Sequence, residues 1–186
     1  MPHIDVIPYE SAEGKLKSIY DDLIQSRGKL ADVHMIQSLN PDSIVNHMDL
    51  YMTIMFGKSP LKRVQREMIA VVVSKNNDCN YCQEHHGAAV QHYWKDAARV
   101  QQLRDDFSKA NLSEADFALC EFAAELTRNP NHDTKSATEN LRSLGLTDRA
   151  ILDATLIISY FNFVNRIVLG LGLAVNKDEL DGYKYD

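Results

Sequence analysis

Cysteine, glycine and proline are all scarce in this chain, and each shortage removes a class of protein. Three cysteines are too few, and one too many, for a disulfide framework. A reducing, cytoplasmic setting is therefore expected, where two cysteines placed close together mean metal or redox chemistry. Eight glycines and five prolines leave no Gly/Ser linker and no low-complexity stretch. Basic charge is also short. Twenty Lys and Arg against 26 Asp and Glu give a net charge of −6, which excludes a general nucleic-acid or anionic-membrane binder. The start, Met1-Pro2-His3-Ile4-Asp5, lacks the positive region and apolar stretch of a secretory signal. Long hydrophobic runs are absent but for Ala150 to Ala174. That stretch carries Asp153, Asn162, Asn165 and Arg166, and charges at the centre of a membrane span are costly. It reads as a buried core helix, with no membrane partner.

What remains is 186 residues, 45% of them apolar, enough for one domain over residues 1–186. Its pattern is helical almost throughout. Leu16, Ile19, Tyr20 and Leu23 recur at spacings of three and four, and Gly28 ends that helix. Pro41-Asp42 opens a second, with Ile44, Val45, Met48, Tyr51, Met52, Met55 and Phe56 on one stripe up to Gly57. A third runs from Leu61 to Lys75 after Pro60. Asp78 is a good N-cap for a fourth, from Cys79 to about Gln91. Ser113 with Asp116 resembles a capping box, Asn129-Pro130 stops the helix it opens, and Thr147-Asp148 opens the last one. Ile69 to Val73 is β-branched and favours strand, but upstream helix formers and the lack of a partner strand override it. A hairpin dipeptide occurs only at Asp181-Gly182. The fold class expected is an all-α, multihelical bundle.

The informative segment is Arg66 to His86, REMIAVVVSKNNDCNYCQEHH, within a redox core of about residues 61–92. Cys79 and Cys82 form a C-x-x-C pair at a helix N-terminus. Unpaired amide N–H groups and the helix dipole favour a thiolate there. The spacing also lets the two sulfurs meet with little backbone movement. At about 100° per residue, Cys79, Cys82 and His86 share an arc of roughly 60°, while His85 lies about 120° from Cys79. Periodicity selects His86 as the histidine able to share a proton with the thiols and turns His85 elsewhere. Glu67 flanks the stripe of Leu61, Val64, Met68 and Val71. From periodicity a solvated carboxylate and a functional one are equally compatible with it.

Other chemistries fit these residues less well. Zinc on Cys79, Cys82 and a histidine lacks the fourth ligand a structural site needs. Thioredoxin chemistry needs a strand before the motif, and a helix precedes this one. Cys120 lies inside an amphipathic pattern and reads as a small core hydrophobe. Tyr81 and Trp94 read as core aromatics, with a pocket-lining role as the alternative. Arg166 reads as the partner of an acid or as an interface residue.

Glu67, eleven residues, Cys79-x-x-Cys82, three residues and His86 together resemble the core motif of the alkylhydroperoxidase D (AhpD) and carboxymuconolactone decarboxylase superfamily. Outside the motif, YESAEGKLKSIYDDL, MFGKSPLKRVQREMIAVVVS and ISYFNFVNRIVLGLG look like its peroxidase-related branch, so the resemblance spans nearly the whole chain. The decarboxylases of the superfamily characteristically lack the cysteine pair. One position departs from the pattern. Tyr81 stands where the best-known AhpD enzymes carry a histidine, so a relay through that histidine is altered or absent here.

The resemblance implies an AhpD-like bundle and a thiol peroxidase that needs no metal or organic cofactor. Cys82 would attack the peroxide and become a sulfenic acid, and Cys79 would resolve it to a 79–82 disulfide. Glu67 and His86 would carry the proton. The partners implied are a peroxide substrate and an external thiol reductant, with no nucleic acid, and a homo-oligomer (dimer, trimer or hexamer) is expected. The alternatives are a thiol-disulfide oxidoreductase, a decarboxylase-like enzyme on the same fold, or a redox sensor without turnover.

Overall fold

The computed structural model describes residues 1–131 and 133–175, so the Asp181-Gly182 dipeptide lies outside the described residues. Among them there is no strand. The chain runs through α1 (Gly14–Arg27), α2 (Asp32–Met35), α3 (Pro41–Tyr51), α4 (Arg63–Asn76), α5 (Asn80–Trp94), α6 (Ala97–Asp105), α7 (Glu114–Arg128), α8 (Thr134–Ser143) and α9 (Asp148–Gly170). The all-α expectation holds.

Helix ends follow their local chemistry. Ser113 and Thr147 accept hydrogen bonds from the N–H of Asp116 and of Ala150, both at 3.2 Å, each satisfying an orphan donor of the first turn. Gly28 closes α1 in the left-handed region at φ 84°, where a Cβ would be strained. Two ends differ from the sequence reading. The fourth helix is not capped by Asp78, which takes a left-handed φ of 54°. Cys79 holds the N-cap position and Asn80 is the first helical residue. The stripe after Pro41 does not run evenly either. A wide π turn over Met52–Phe56 follows α3 and re-phases the chain, so Ile54 and Met55 are buried while Met52 is exposed, and within α3 itself Val45 also faces outward.

The centre of the molecule is α4. Arg66 to Ser74 are buried without a break, because α5, α7 and α9 pack around this one helix. That packing explains how Ile69–Val73 is helical against its β-branched preference. Full burial of each large aliphatic side chain stabilises by about 1.5–3 kcal/mol, well above the few tenths separating helix propensities. Arg66 enters this core as a clamp. Its Nη1 donates to the carbonyls of Met55 at 2.8 Å and Gly57 at 3.0 Å. Its Nε and Nη2 donate to Leu61 O at 3.2 and 3.1 Å.

A smaller cluster joins α1 to α3 through Leu16, Tyr20, Ile44 and Met48, and Tyr51 packs against both clusters. The last helix, α9, is long and apolar enough to cross a membrane by composition, but 56% of that stretch is buried inside the protein. It serves as a core helix. Leu152, Leu156 and Phe163, exposed on its outer side, fall within an arc of roughly 40°.

Candidate active site

A cavity of about 100 Å³ lies at the join of the two clusters. One wall comes from α4 and α5 (Glu67, Cys82, His86), and the opposite wall from α3 and α9 (His47, Tyr160, Phe161). Four of the sequence-selected residues thus come together, three on the cavity surface and Cys79 behind Cys82. Cys79 is fully buried and Cys82 is 3% exposed, and both are free thiols.

Cys79 stands at the N-cap of α5 because the chain turns tightly after α4. Its N–H donates to Ser74 O at 2.9 Å, and its carbonyl accepts the first helical bond from Gln83 at 3.0 Å. The two thiols share a proton unequally. The hydrogen bond from the Cys82 thiol holds Cys79 below its ordinary value, aided by the Cys82 backbone N–H and by nearby His85, against the opposing push of burial. The same hydrogen bond, with burial, pushes Cys82 well above its ordinary value, although Asn165 and Ser74 pull it down. The first negative charge therefore forms on the inner sulfur. Ser74 and Asn165 form a floor beneath the pair, with Asn165 Nδ2 donating to Ser74 Oγ at 3.2 Å and its Oδ1 accepting from Asn77 at 3.0 Å.

Glu67 is not a solvated flank. It is 1% exposed, since α4 has no solvent-facing side here. Its Oε2 lies 2.6 Å from His86 Nδ1, and its Oε1 accepts from Arg63 Nη2 at 2.5 Å and Nε at 2.8 Å. Burial pushes this carboxyl up, but His86 and Arg63 together outweigh it and hold it below its ordinary value. The Arg63 guanidinium is itself steadied over the Phe56 ring at 3.6 Å. His86 packs edge-on against Phe161, with ring centroids 4.4 Å apart.

His85 departs from the sequence expectation. It lines the same cavity as His86. Its ring lies 4.2 Å from that of Tyr81, and its Nδ1 bonds to Tyr81 O at 2.8 Å. An angle of 120° on a helix does not remove a side chain from a cavity that wraps round that helix. Tyr81 is buried and is a wall residue too, its hydroxyl accepting from Val33 N at 3.3 Å. Trp94 lies away from the cavity, under Arg99, whose guanidinium is 3.9 Å from the ring. Arg166 bonds within its own helix, to Asn162 O at 2.7 Å and Oδ1 at 2.9 Å, rather than to an acid. Cys120 is fully buried in α7, and burial drives its thiol far above the ordinary range. Among the described residues no cluster of ligating side chains could hold a metal.

The sequence reading missed Arg63, His47, Tyr160 and the Ser74–Asn165 floor. Asn165 left one trace, a polar residue in an apolar run. His47 and Tyr160 lie 113 positions apart and left none.

Residues 46–104 match the carboxymuconolactone decarboxylase family, a span that holds Glu67, both site cysteines and His86. The fold is that of a peroxidase-related protein with an alkylhydroperoxidase AhpD core from Ralstonia eutropha JMP134. That protein is 23% identical, with 96% of this chain and 94% of that one covered at a TM-score of 0.86. A peroxidase-related protein from Silicibacter sp. TM1040 is 29% identical over 98% of this chain and 93% of its own, at a TM-score of 0.82. The debrominase Bmp8, solved with 2,3,4-tribromopyrrole, is 20% identical over 94% and 92%, at a TM-score of 0.77. No protein of curated function matches the chain. The family match is confined to residues 46–104, and the likeness to these solved structures over nearly the whole chain shows an AhpD-like fold.

Proposed function

We propose that this protein is a thiol-dependent hydroperoxide reductase working through a 79–82 disulfide. The observation that carries this reading is that Cys82, His86 and Glu67 open on one cavity with Cys79 directly behind. Glu67 accepts from His86 Nδ1–H and so turns Nε2 to the cavity as the basic nitrogen. His86 takes one proton from the thiol pair, and the proton that remains between the sulfurs passes to Cys79, which leaves the charge on Cys82. The thiolate attacks the terminal peroxide oxygen, the S–O bond forms, the O–O bond breaks, and the alkoxide leaves with the proton from His86. Cys82 is then a sulfenic acid. Cys79 attacks its sulfur, water leaves, and the disulfide closes. An external dithiol restores both thiols. Walls built from Val33, Met48, Phe161 and Val164 favour an organic hydroperoxide over hydrogen peroxide, since apolar surface gains by leaving water.

The test is a panel of hydroperoxides supplied with a dithiol, using the wild type and Cys82→Ser. Steady consumption by the wild type and none by the variant is expected. Peptide mapping after oxidation should find the 79–82 disulfide with Cys120 still free. Oxidation that stops after one equivalent despite reductant would make the protein a sensor. Turnover of a brominated pyrrole in place of every peroxide would make it a reductive dehalogenase.

A further inference from the structure

The wall opposite the thiols carries a polar chain that the mechanism above leaves unused. Gln37 Nε2 donates to Val33 O at 2.7 Å. A carbonyl oxygen can only accept, so this atom is the amide nitrogen and not its oxygen. The same nitrogen lies 2.8 Å from His47 Nδ1, which must therefore accept. His47 is 5% exposed, and burial lowers it to about 4, so the ring is neutral and its one hydrogen sits on Nε2. That hydrogen points to Tyr160 Oη at 2.6 Å. The tyrosine oxygen is thus the acceptor in this pair, and its own hydrogen must go elsewhere. Among the described residues no acceptor takes it. Tyr160 is 5% exposed and lines the cavity beside Cys82.

We propose that Tyr160 is a further catalytic residue, its O–H polarised by the Gln37–His47 chain and aimed into the cavity to hydrogen-bond the alkoxide oxygen that departs as Cys82 attacks the peroxide. The proposal rests on the peroxidase reading. The step needs no additional proton. As the thiolate attacks, the O–O electron pair passes to the departing alkoxide, which receives its proton from His86. Tyr160 donates a hydrogen bond to that oxygen throughout and keeps its own hydrogen. Burial drives the Tyr160 hydroxyl well above its ordinary value, with Tyr51 and Cys82 adding to it, so it remains a donor at any working pH. Accepting from His47 makes it a better one, because hydrogen bonds in a chain polarise one another. A donor preorganised against developing charge in a dry site commonly contributes about 100- to 1,000-fold in rate.

Tyr160→Phe keeps the ring packed against Tyr51 and Phe161 and removes only the donor. Its helix content and melting are measured first. Single-turnover oxidation of the thiols is then read with cumene hydroperoxide, tert-butyl hydroperoxide and peracetic acid. The expected loss is tenfold or more with the two alkyl hydroperoxides, whose alkoxides are strongly basic. It should be much smaller with peracetic acid, whose leaving acetate needs little help. A uniform loss across all three, or none, overturns the role. Nitrogen-15 NMR of His47 reads the chain independently of turnover. An Nε2–H tautomer is expected, and an Nδ1–H tautomer would make Tyr160 the donor to His47 and overturn the proposal. A wild type inert to every hydroperoxide sinks the peroxidase reading and this role with it, whereas tautomer failure alone leaves that reading standing.

Discussion

Two histidines face one cavity from opposite walls and are held in opposite senses. His86 gives its Nδ1 hydrogen to a carboxylate, Glu67. His47 receives a hydrogen at Nδ1 from an amide, Gln37. The first arrangement leaves a basic Nε2, with an anion behind it to stabilise an imidazolium. The second leaves an Nε2–H on a ring that burial keeps neutral. One partner side chain, acid or amide, thus decides whether an imidazole accepts protons or passes on a hydrogen bond. The cavity has both kinds, one on the wall that carries Cys82 and the other on the wall with Tyr160.

The contrast can be broken most forcefully at His86. His86→Gln removes the base, and turnover should fall about 100-fold or more, measured as peroxide-dependent oxidation of a supplied dithiol with helix content unchanged. Glu67→Gln should lose comparable activity and also weaken the fold by about 3 kcal/mol, because it strands Arg63 and His86 around a buried amide. Urea denaturation checks this. A variant as stable as the wild type would mean that the carboxylate is not engaged by both Arg63 and His86.

The other wall makes its statement through pH. Unfolded, His47 takes up a proton near its ordinary value of 6.5, whereas folded it refuses one until about 4. Across that window the unfolded chain binds more protons, so stability is full above pH 6.5 and drains as pH falls toward 4. The loss is on the order of 3 kcal/mol. Urea midpoints taken from pH 7 to pH 4 should show it, and His47→Gln should flatten that part of the curve. An unchanged slope in the variant would assign the acid sensitivity elsewhere. The smallest effect is expected at His85. It lines the cavity but bonds to a backbone carbonyl rather than to Glu67, so His85→Gln should change turnover by less than about threefold. A loss equal to that of His86→Gln would mean that the relay uses both rings.

Much of this was legible in the sequence, for reasons that differ by residue. The helices were, because capping residues such as Ser113 and Thr147 and three-four spacings act locally. So was the grouping of Cys79, Cys82 and His86, which the first two turns of one helix enforce. Asp78 misled because aspartate is the stronger N-cap by preference, while the tight turn out of α4 needed a left-handed residue there and handed the cap to Cys79. Glu67 was ambiguous because a stripe model gives a helix one buried side, and α4 is covered on all of them. The π turn at Met52–Phe56 has no composition signature. The Gln37–His47–Tyr160 chain spans three separate segments, and only tertiary packing brings them together.

Arg66 and Glu67 are neighbours in sequence, both buried, opposite in charge and about 100° apart around α4. The guanidinium meets only carbonyl oxygens, and the carboxylate meets only cationic or N–H groups. Turning the helix by one residue in one sense would set the Glu67 carboxylate against those carbonyls. In the other sense it would carry the Arg66 guanidinium to the place that faces His86. Either turn leaves buried charge without its partner. The three valines from Val71 to Val73 would accept the same turn with less loss, since they are identical in size and shape. The azimuth of the central helix, and with it the aim of the carboxylate at His86, is therefore keyed by charge where shape alone would let it slip.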